Sequence, residues 1–407
     1  MISLTSPDIL PHDDSPAAES AAERETFIFR SRLPDIVIPD HLPLHAYCFE
    51  KMAEVADKSC LISGSTGRTY TYAETHLLCR RAAAGLAGLG VRQGDVIFLV
   101  LQNCPEFAIC FMAASFLGAA TTAVNPLCTP AEILKQLKSS GAKLVVTQSI
   151  YADKLGGGLT VITVDDPPLG CLSFSVLSAA DEAAIPESST NTDDAVALPF
   201  SSGTTGLPKG VVLTHRNLVS SVAQQVDGEN PNFHLRNDDV VLCVLPLFHI
   251  FSLNSVLLCS LRAGAAVLII HRFEMEAMLG LIEKHKVTVA AVVPPMVLSL
   301  LKNPLVDIYN LSSIRIIISG AAPLGEELVA ALQRRLPQAI LGQGYGMTEA
   351  GPVLSMCPAF AKRPMAAKSG SCGTVVRNAE LKVIDPSTGL SLDRNKLGRY
   401  ASRGPRS

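Results

Sequence analysis

The sequence predicts a layered α/β protein with largely parallel sheets, and three helix–strand pairs carry that expectation. Thr129-Pro130-Ala131-Glu132 opens a helix with a capping hydroxyl, a proline in the first turn and a glutamate at N3; Gly141 closes it before an apolar strand at 143–147. The same alternation returns as a helix over 275–285 with a strand at 287–293, and as a helix over 325–335 with a strand at 339–341. A further apolar strand is expected at 314–318.

With 407 residues, 48% of them hydrophobic, the chain can bury a sizeable core. Its net charge of -3, from 34 basic and 37 acidic side chains spread along the sequence, gives no basic field for a nucleic acid. Residues 1–26, acidic and rich in Ser, Pro and Ala, read as a disordered tail and carry neither the positive start nor the apolar core of a secretory signal. The apolar runs 96–120 and 240–270 are broken by Asn103, Pro105 and Glu106, and by Pro246, His249 and Asn254, so no membrane span is expected. Eleven cysteines, odd in number and never spaced C-x-x-C, read as buried thiols of a reducing compartment, which makes the expected location cytoplasmic. The polar stretch 181–194, with Pro186 and clustered Ser and Thr, reads as a linker between subdomains of about 27–180 and 195–397.

The most informative stretch follows that linker: Ser201-Ser202-Gly203-Thr204-Thr205-Gly206-Leu207-Pro208-Lys209-Gly210, then an apolar strand at 211–213. Glycines free the backbone to present N–H groups, four hydroxyls add donors and one lysine adds charge, which are the parts of a polyphosphate cradle. An ordinary Gly/Ser/Thr-rich hairpin loop is the bland alternative, and the full pattern with its lysine outweighs it. The loop is not of the Walker A type, because Pro208 and Gly210 flank Lys209 where that motif needs glycine before and Ser or Thr after.

A second block, Gly342-Gln343-Gly344-Tyr345-Gly346-Met347-Thr348-Glu349, places three alternate glycines before a hydroxyl and a carboxylate; alone it reads as a helix N-cap, beside the first block as a nucleotide site. A third, Ser319-Gly320-Ala321-Ala322-Pro323-Leu324-Gly325, is a strand-to-helix turn whose small residues leave room beside the strand.

Together these blocks resemble the adenylate-forming superfamily. Phe29-Arg30-Ser31-Arg32-Leu33-Pro34-Asp35-Ile36, Leu245-Pro246-Leu247-Phe248-His249-Ile250 and Gly351-Pro352-Val353-Leu354 look like its 4-coumarate:CoA ligases. The resemblance spans about 27–397 and implies the large N-terminal domain of that fold. It implies ATP, Mg2+ and coenzyme A as partners of a small carboxylic acid, converted first to an acyl-adenylate and then to the thioester. Carried over by position, it implies phosphate contacts at Ser201, Ser202, Gly203, Thr204, Thr205, Gly206 and Lys209. Gln343, Gly344, Thr348 and Met356 match positions around the acyl-adenylate, and Glu349 one that places magnesium. Phe251, Ser255 and Ala321 match the acyl pocket, Ala321 against the aromatic ring. His249 would sit beside the reacting carboxylate, although a satisfied core residue is the usual reading of a lone histidine in an apolar run. Arg272 stands where the family has a lysine that meets coenzyme A.

Three departures qualify the resemblance. Phe251 replaces a usual tyrosine and Ile318 a frequent lysine, and each removes a polar handle. The segment 398–407 reads as a divergent end, with Arg403-Gly404-Pro405 echoing a family Arg-Gly-Pro; the family's next strand, its ribose-holding aspartate and its C-terminal lid with a catalytic lysine are expected to be missing. The expectation is therefore a truncated ligase of impaired activity. The alternatives are a ligase for medium-chain or jasmonate-precursor acids, and a non-catalytic nucleotide- or acyl-binding remnant that associates with full-length relatives.

Overall fold

A hydroxyl and a carboxylate start the most legible helix. The computed structural model describes residues 27–187, 189–201 and 209–405. In it Thr129 Oγ1 accepts from the Glu132 backbone N–H and Glu132 accepts from the Thr129 N–H, so Pro130–Ser140 begins with a reciprocal cap. Gly141 ends the helix at φ +62°, a left-handed conformation that glycine adopts without a Cβ penalty, and the strand Leu144–Thr147 follows. The other two pairs are also present, Met275–His285 before Val289–Val292 and Glu326–Arg335 before Ile340–Gly346. The last strand is longer than expected and takes the alternate glycines 342, 344 and 346 into the sheet.

Two sheets organise the larger of two compact units, residues 29–381 with 402–407. One runs, in spatial order, through Leu213–Thr214, Ala195–Ala197, Ala120–Ala123, Val96–Val100, Leu144–Thr147, Thr160–Thr163 and Leu172–Ser173, all parallel except the first pair. The other runs through Thr374–Val375, Val353–Met356, Ile340–Gly346, Ile316–Ser319, Val289–Val292, Val240–Cys243, Ala266–Ile269, Ser59–Ser63 and Thr69–Thr71. Its six strands from Ile340–Gly346 to Ser59–Ser63 are parallel, and the outer pairings are antiparallel. Central strands such as Ala266–Ile269 and Val289–Val292 are buried at every residue, as parallel strands covered on both faces must be.

Two expectations need correction. The stretch 181–194 does not divide the chain at the level of the sheets: Ala195–Ala197 and Leu213–Thr214 join the sheet of residues 96–173, while Ser59–Ser63 and Thr69–Thr71 join the other. A polar composition marks a surface segment, whereas strand pairing decides which residues share a core. The single strand expected at 211–213 is two short pieces. Lys209–Gly210 pairs with Phe200–Ser201, Leu213–Thr214 pairs with Ala195–Ala197, and Val212 between them is exposed.

The smaller unit, of which Phe27, Ile28 and Lys382–Ala401 are described, pairs Val383 with Leu392 and Ile384 with Ser391 in antiparallel register. Phe27 N–H donates to Ser391 Oγ and the Ser391 hydroxyl donates back to the Phe27 carbonyl, each at 3.1 Å. A strand spans Arg399–Arg403, so the next strand expected to be missing after Gly398 is present. The tail reading of 1–26 lies outside the described residues.

All eleven cysteines are free and seven are buried, where loss of hydration pushes the thiols of Cys60 and Cys243 up to about 12 and leaves them unreactive. Among the described residues no helix is long and apolar enough to cross a membrane.

Candidate active site

Four neighbouring parallel strands, Val240–Cys243, Val289–Val292, Ile316–Ser319 and Ile340–Gly346, end on one edge of the larger sheet. Ligands of open α/β sheets bind at such carboxyl ends. The chain just beyond each strand lines one cavity of about 390 Å³: Leu245 and Pro246, Val293, Gly320 and Ala321, and Met347 and Thr348. His249, Ile250, Phe251, Ser252, Pro352 and Val353 complete the wall with Ile318, Gly344, Tyr345 and Gly346 from the strand residues themselves. That volume suits a small organic ligand.

The apolar end is built from a tight turn. Ala321 sits at φ +68°, and the Phe251 ring packs so closely on Gly320 that a Cβ there would lie 3.1 Å from Phe251 Cε1. Phe251 begins the π-helical segment Phe251–Leu258, an uncommon winding often found at functional sites. Ser255, in the same segment, is buried with its hydroxyl unpartnered among the described residues, and it does not line the cavity.

His249 stands at the start of this segment. Its N–H donates to the Pro246 carbonyl at 3.0 Å, its carbonyl accepts from Leu253 N–H at 3.0 Å, and its ring leans on Phe248 with centroids 4.8 Å apart. His249 lines the cavity, and burial lowers its pKa through lost hydration, so the imidazole is neutral near pH 7.

The polar end joins the first two sequence blocks. Ser201 lies opposite Lys209 in the Phe200–Ser201/Lys209–Gly210 pairing, and the Ser201 hydroxyl donates to Glu349 Oε1 at 3.0 Å. Thr348 and Glu349 form a 3₁₀ turn that Gly351 closes at φ +65°. Gly346 must be glycine here, because a Cβ would fall 2.3 Å from the Pro352 carbonyl oxygen. Glu349 also borders a second cavity of about 120 Å³ with Arg403 and Gly404. Ser202, Gly203, Thr204, Thr205 and Gly206 lie outside the described residues.

The expected site residues therefore fall into groups. His249, Phe251, Ala321, Gly344 and Thr348 line the cavity, and Ser201, Lys209 and Glu349 gather beside Thr348. Ser255, Gln343 and Met356 are buried and do not line it; the Gln343 amide bonds to the Leu324 backbone, and Met356 pairs with Gly344 and Thr374. Arg272 is exposed and paired with Glu274. Gly320, Tyr345 and Pro352, quoted in the sequence blocks without a role, also line the cavity; Val293 and Ser252 line it and stand in none of those blocks, and the position of Val293 just past the end of Val289–Val292 is the signal that could have found it.

A sequence-family model described as "AMP-binding enzyme" matches residues 48–406, beyond the point where the resemblance read from the motifs stops. The chain is 64% identical to 4-coumarate--CoA ligase 2 of Oryza sativa subsp. japonica, over all of the chain and 74% of that protein. It is 62% identical to 4-coumarate--CoA ligase 3 of Arabidopsis thaliana, over 99% of the chain and 71% of that protein. Among solved structures, a long-chain-fatty-acid-CoA ligase from Archaeoglobus fulgidus superposes with a TM-score of 0.83 at 24% identity, covering 93% of this chain and 78% of that one, a likeness of fold.

Proposed function

The chain belongs to the 4-coumarate--CoA ligases, a family of AMP-binding enzymes, and on that premise we propose that it activates a phenylpropanoid carboxylic acid with ATP and passes the acyl group to coenzyme A. The observation that supports this reading is the Ser201–Glu349 hydrogen bond: Ser201 starts the expected phosphate loop, and Glu349 adjoins Thr348, which lines an apolar cavity sized for an aromatic acid. A carboxylate oxygen of the acid bonds to the α-phosphorus of ATP as the bond to pyrophosphate breaks. The coenzyme A sulfur then bonds to the acyl carbon, AMP leaves and the thiol proton is released.

No protein nucleophile is needed, so the protein contributes positioning and charge stabilisation at phosphorus. Lys209 and the hydroxyls of Ser201 and Thr348 suit the phosphates. Neutral His249 suits a hydrogen bond to the acid's carboxyl group, and Phe251, Ile318 and Ala321 suit its apolar body. Coenzyme A would reach the acyl carbon from the side where Arg272 stands exposed. Magnesium fits the donor chemistry: Glu349 offers one exposed oxygen ligand, the kind a hard cation held mostly by substrate phosphates takes from a protein. Such an ion would neutralise phosphate charge. The free, buried thiols support a reducing, cytoplasmic setting.

Calorimetry on the purified chain tests the reading with ATP and magnesium, with 4-coumarate, and with a non-hydrolysable coumaroyl-adenylate analogue. The analogue should bind more tightly than ATP or the acid alone. Equal, weak binding of all three would reject the assignment.

A further inference from the structure

We propose that Gln343 is a positioning residue for acid binding, acting through the turn that carries Ala321 and touching neither acid nor nucleotide with its side chain. The inference rests on the assignment of the cavity to the acid.

Gln343 lies within the strand Ile340–Gly346, in register with Ser319 of the parallel neighbour, and is only 6% exposed. Its own carbonyl accepts from Cys357 N–H at 3.0 Å. Its side-chain Oε1 accepts from Leu324 N–H at 2.7 Å, and its Nε2 donates to the Leu324 carbonyl at 3.2 Å. The amide thus copies a backbone pairing and extends the ladder past the end of Ile316–Ser319, onto a segment that has already left the sheet.

That segment needs holding. Between Ser319 and Leu324 the chain turns through Gly320 and Ala321, and Ala321 occupies the left-handed region at φ +68°, which crowds a Cβ against the backbone and disfavours every residue but glycine. Such a conformation persists when its surroundings over-determine it. Three contacts hold it here: the Phe251 ring against Gly320, the Gly320 N–H donating to the Val292 carbonyl at 3.2 Å, and the two-point bond from Gln343 to Leu324, the one that a side-chain substitution at 343 removes. Gly320 and Ala321 both line the cavity, whereas Gln343 does not. Releasing the amide lets the turn relax, and the wall that faces the acid moves with it.

The test measures binding of 4-coumarate and, separately, of ATP with magnesium, by calorimetry. In Gln343→Leu, which lacks both bonding groups, 4-coumarate affinity should fall about tenfold or more while ATP affinity stays within about twofold. Gln343→Glu keeps the acceptor for Leu324 N–H and should fall between wild type and Gln343→Leu; it decides the matter if the leucine variant does not fold by circular dichroism. Because glycine takes a positive φ without strain, Gln343→Leu should cost clearly less when measured against Ala321→Gly than against wild type. A parallel loss of ATP affinity, or the same loss in both backgrounds, overturns the proposal. Wild-type protein that binds ATP and no 4-coumarate would instead overturn the cavity assignment on which it stands.

Discussion

Ser201 donates its hydroxyl to Glu349 across 148 residues of sequence, so the start of the phosphate-loop stretch and the carboxylate of the second glycine block meet at one point. Lys209 is the partner of Ser201 in the short antiparallel pair and stands exposed at the same place.

Lys209→Ala should therefore weaken ATP binding. Charge-assisted contacts to phosphate contribute roughly 1.5–3 kcal/mol, an affinity loss of about tenfold or more. Titration with ATP checks it, and unchanged affinity would remove the lysine from the phosphate site. Glu349→Gln keeps an acceptor for Ser201 and removes the charge, so it should raise the magnesium concentration needed for ATP binding.

Gly320→Ala should narrow the acid cavity while the fold survives. The added methyl would sit 3.1–3.2 Å from the Phe251 ring edge, too close without movement, and the ring has the open cavity to move into. Acid affinity should drop several-fold with ATP affinity unchanged, both read from titrations. Loss of both would mean that the turn cannot accommodate the methyl.

Local chemistry made part of this legible in the sequence. The cap of Thr129 and Glu132 and the stop at Gly141 act within a few residues, and they stand where the sequence placed them. Sheet membership could not be read the same way, because Ala195–Ala197 joins strands that precede the polar stretch 181–194 through non-local pairing. The site divides similarly. Glycine blocks marked the strand ends, but the commitment of the Gln343 amide to Leu324 depends on the register between two strands, which no spacing in the sequence reports.

Stability should fall as pH drops below about 6.5. His215 Nδ1 accepts from Leu44 N–H at 3.0 Å and its Nε2 is buried without a partner among the described residues, so the ring is neutral; burial brings its pKa down to about 4 despite the opposing field of Asp194. His45, 3.1 Å from Ser115 Oγ and stacked on Phe116, is lowered to about 3 by burial, with His215 and His76 adding to the effect. Folded pKa values below the unfolded value near 6.5 mean that the unfolded chain binds the extra protons. The stabilisation is therefore complete above pH 6.5 and is lost progressively toward pH 4 for His215 and toward pH 3 for His45. At pH 5 each imidazole costs about 2 kcal/mol. Urea midpoints at pH 7 and pH 5 should separate less in His45→Leu and in His215→Asn than in wild type; an unchanged separation would assign the acid sensitivity elsewhere.

The cavity should discriminate weakly for a 4-hydroxyl group on the acid. Its apolar part, Phe251, Ile318, Val293 and Val353, offers no side-chain donor or acceptor; the polar side chains of the lining are His249, Ser252, Tyr345 and Thr348, of which the Ser252 hydroxyl already donates to the Leu245 carbonyl, and the buried hydroxyl of Ser255 lies outside the lining. A site built to hydrogen-bond a hydroxyl rejects an analogue lacking it by about 10⁴ or more, because its own polar groups are then left unpaired. An apolar wall has no such penalty to impose, and it rejects an added hydroxyl only by about 10² at most. The affinities of cinnamate and 4-coumarate for the purified chain should accordingly lie within about tenfold of each other, with methoxylated acids limited by the roughly 390 Å³ of space more than by polarity. Phe251→Tyr and Ile318→Lys each return a polar group to the lining, and each should shift the ratio toward 4-coumarate. A wild-type preference for 4-coumarate of a thousandfold or more, measured by competition titration, would mean that a donor or acceptor meets the ring end of the acid, with the Tyr345 hydroxyl of the lining and the Ser255 hydroxyl outside it the first candidates to remove.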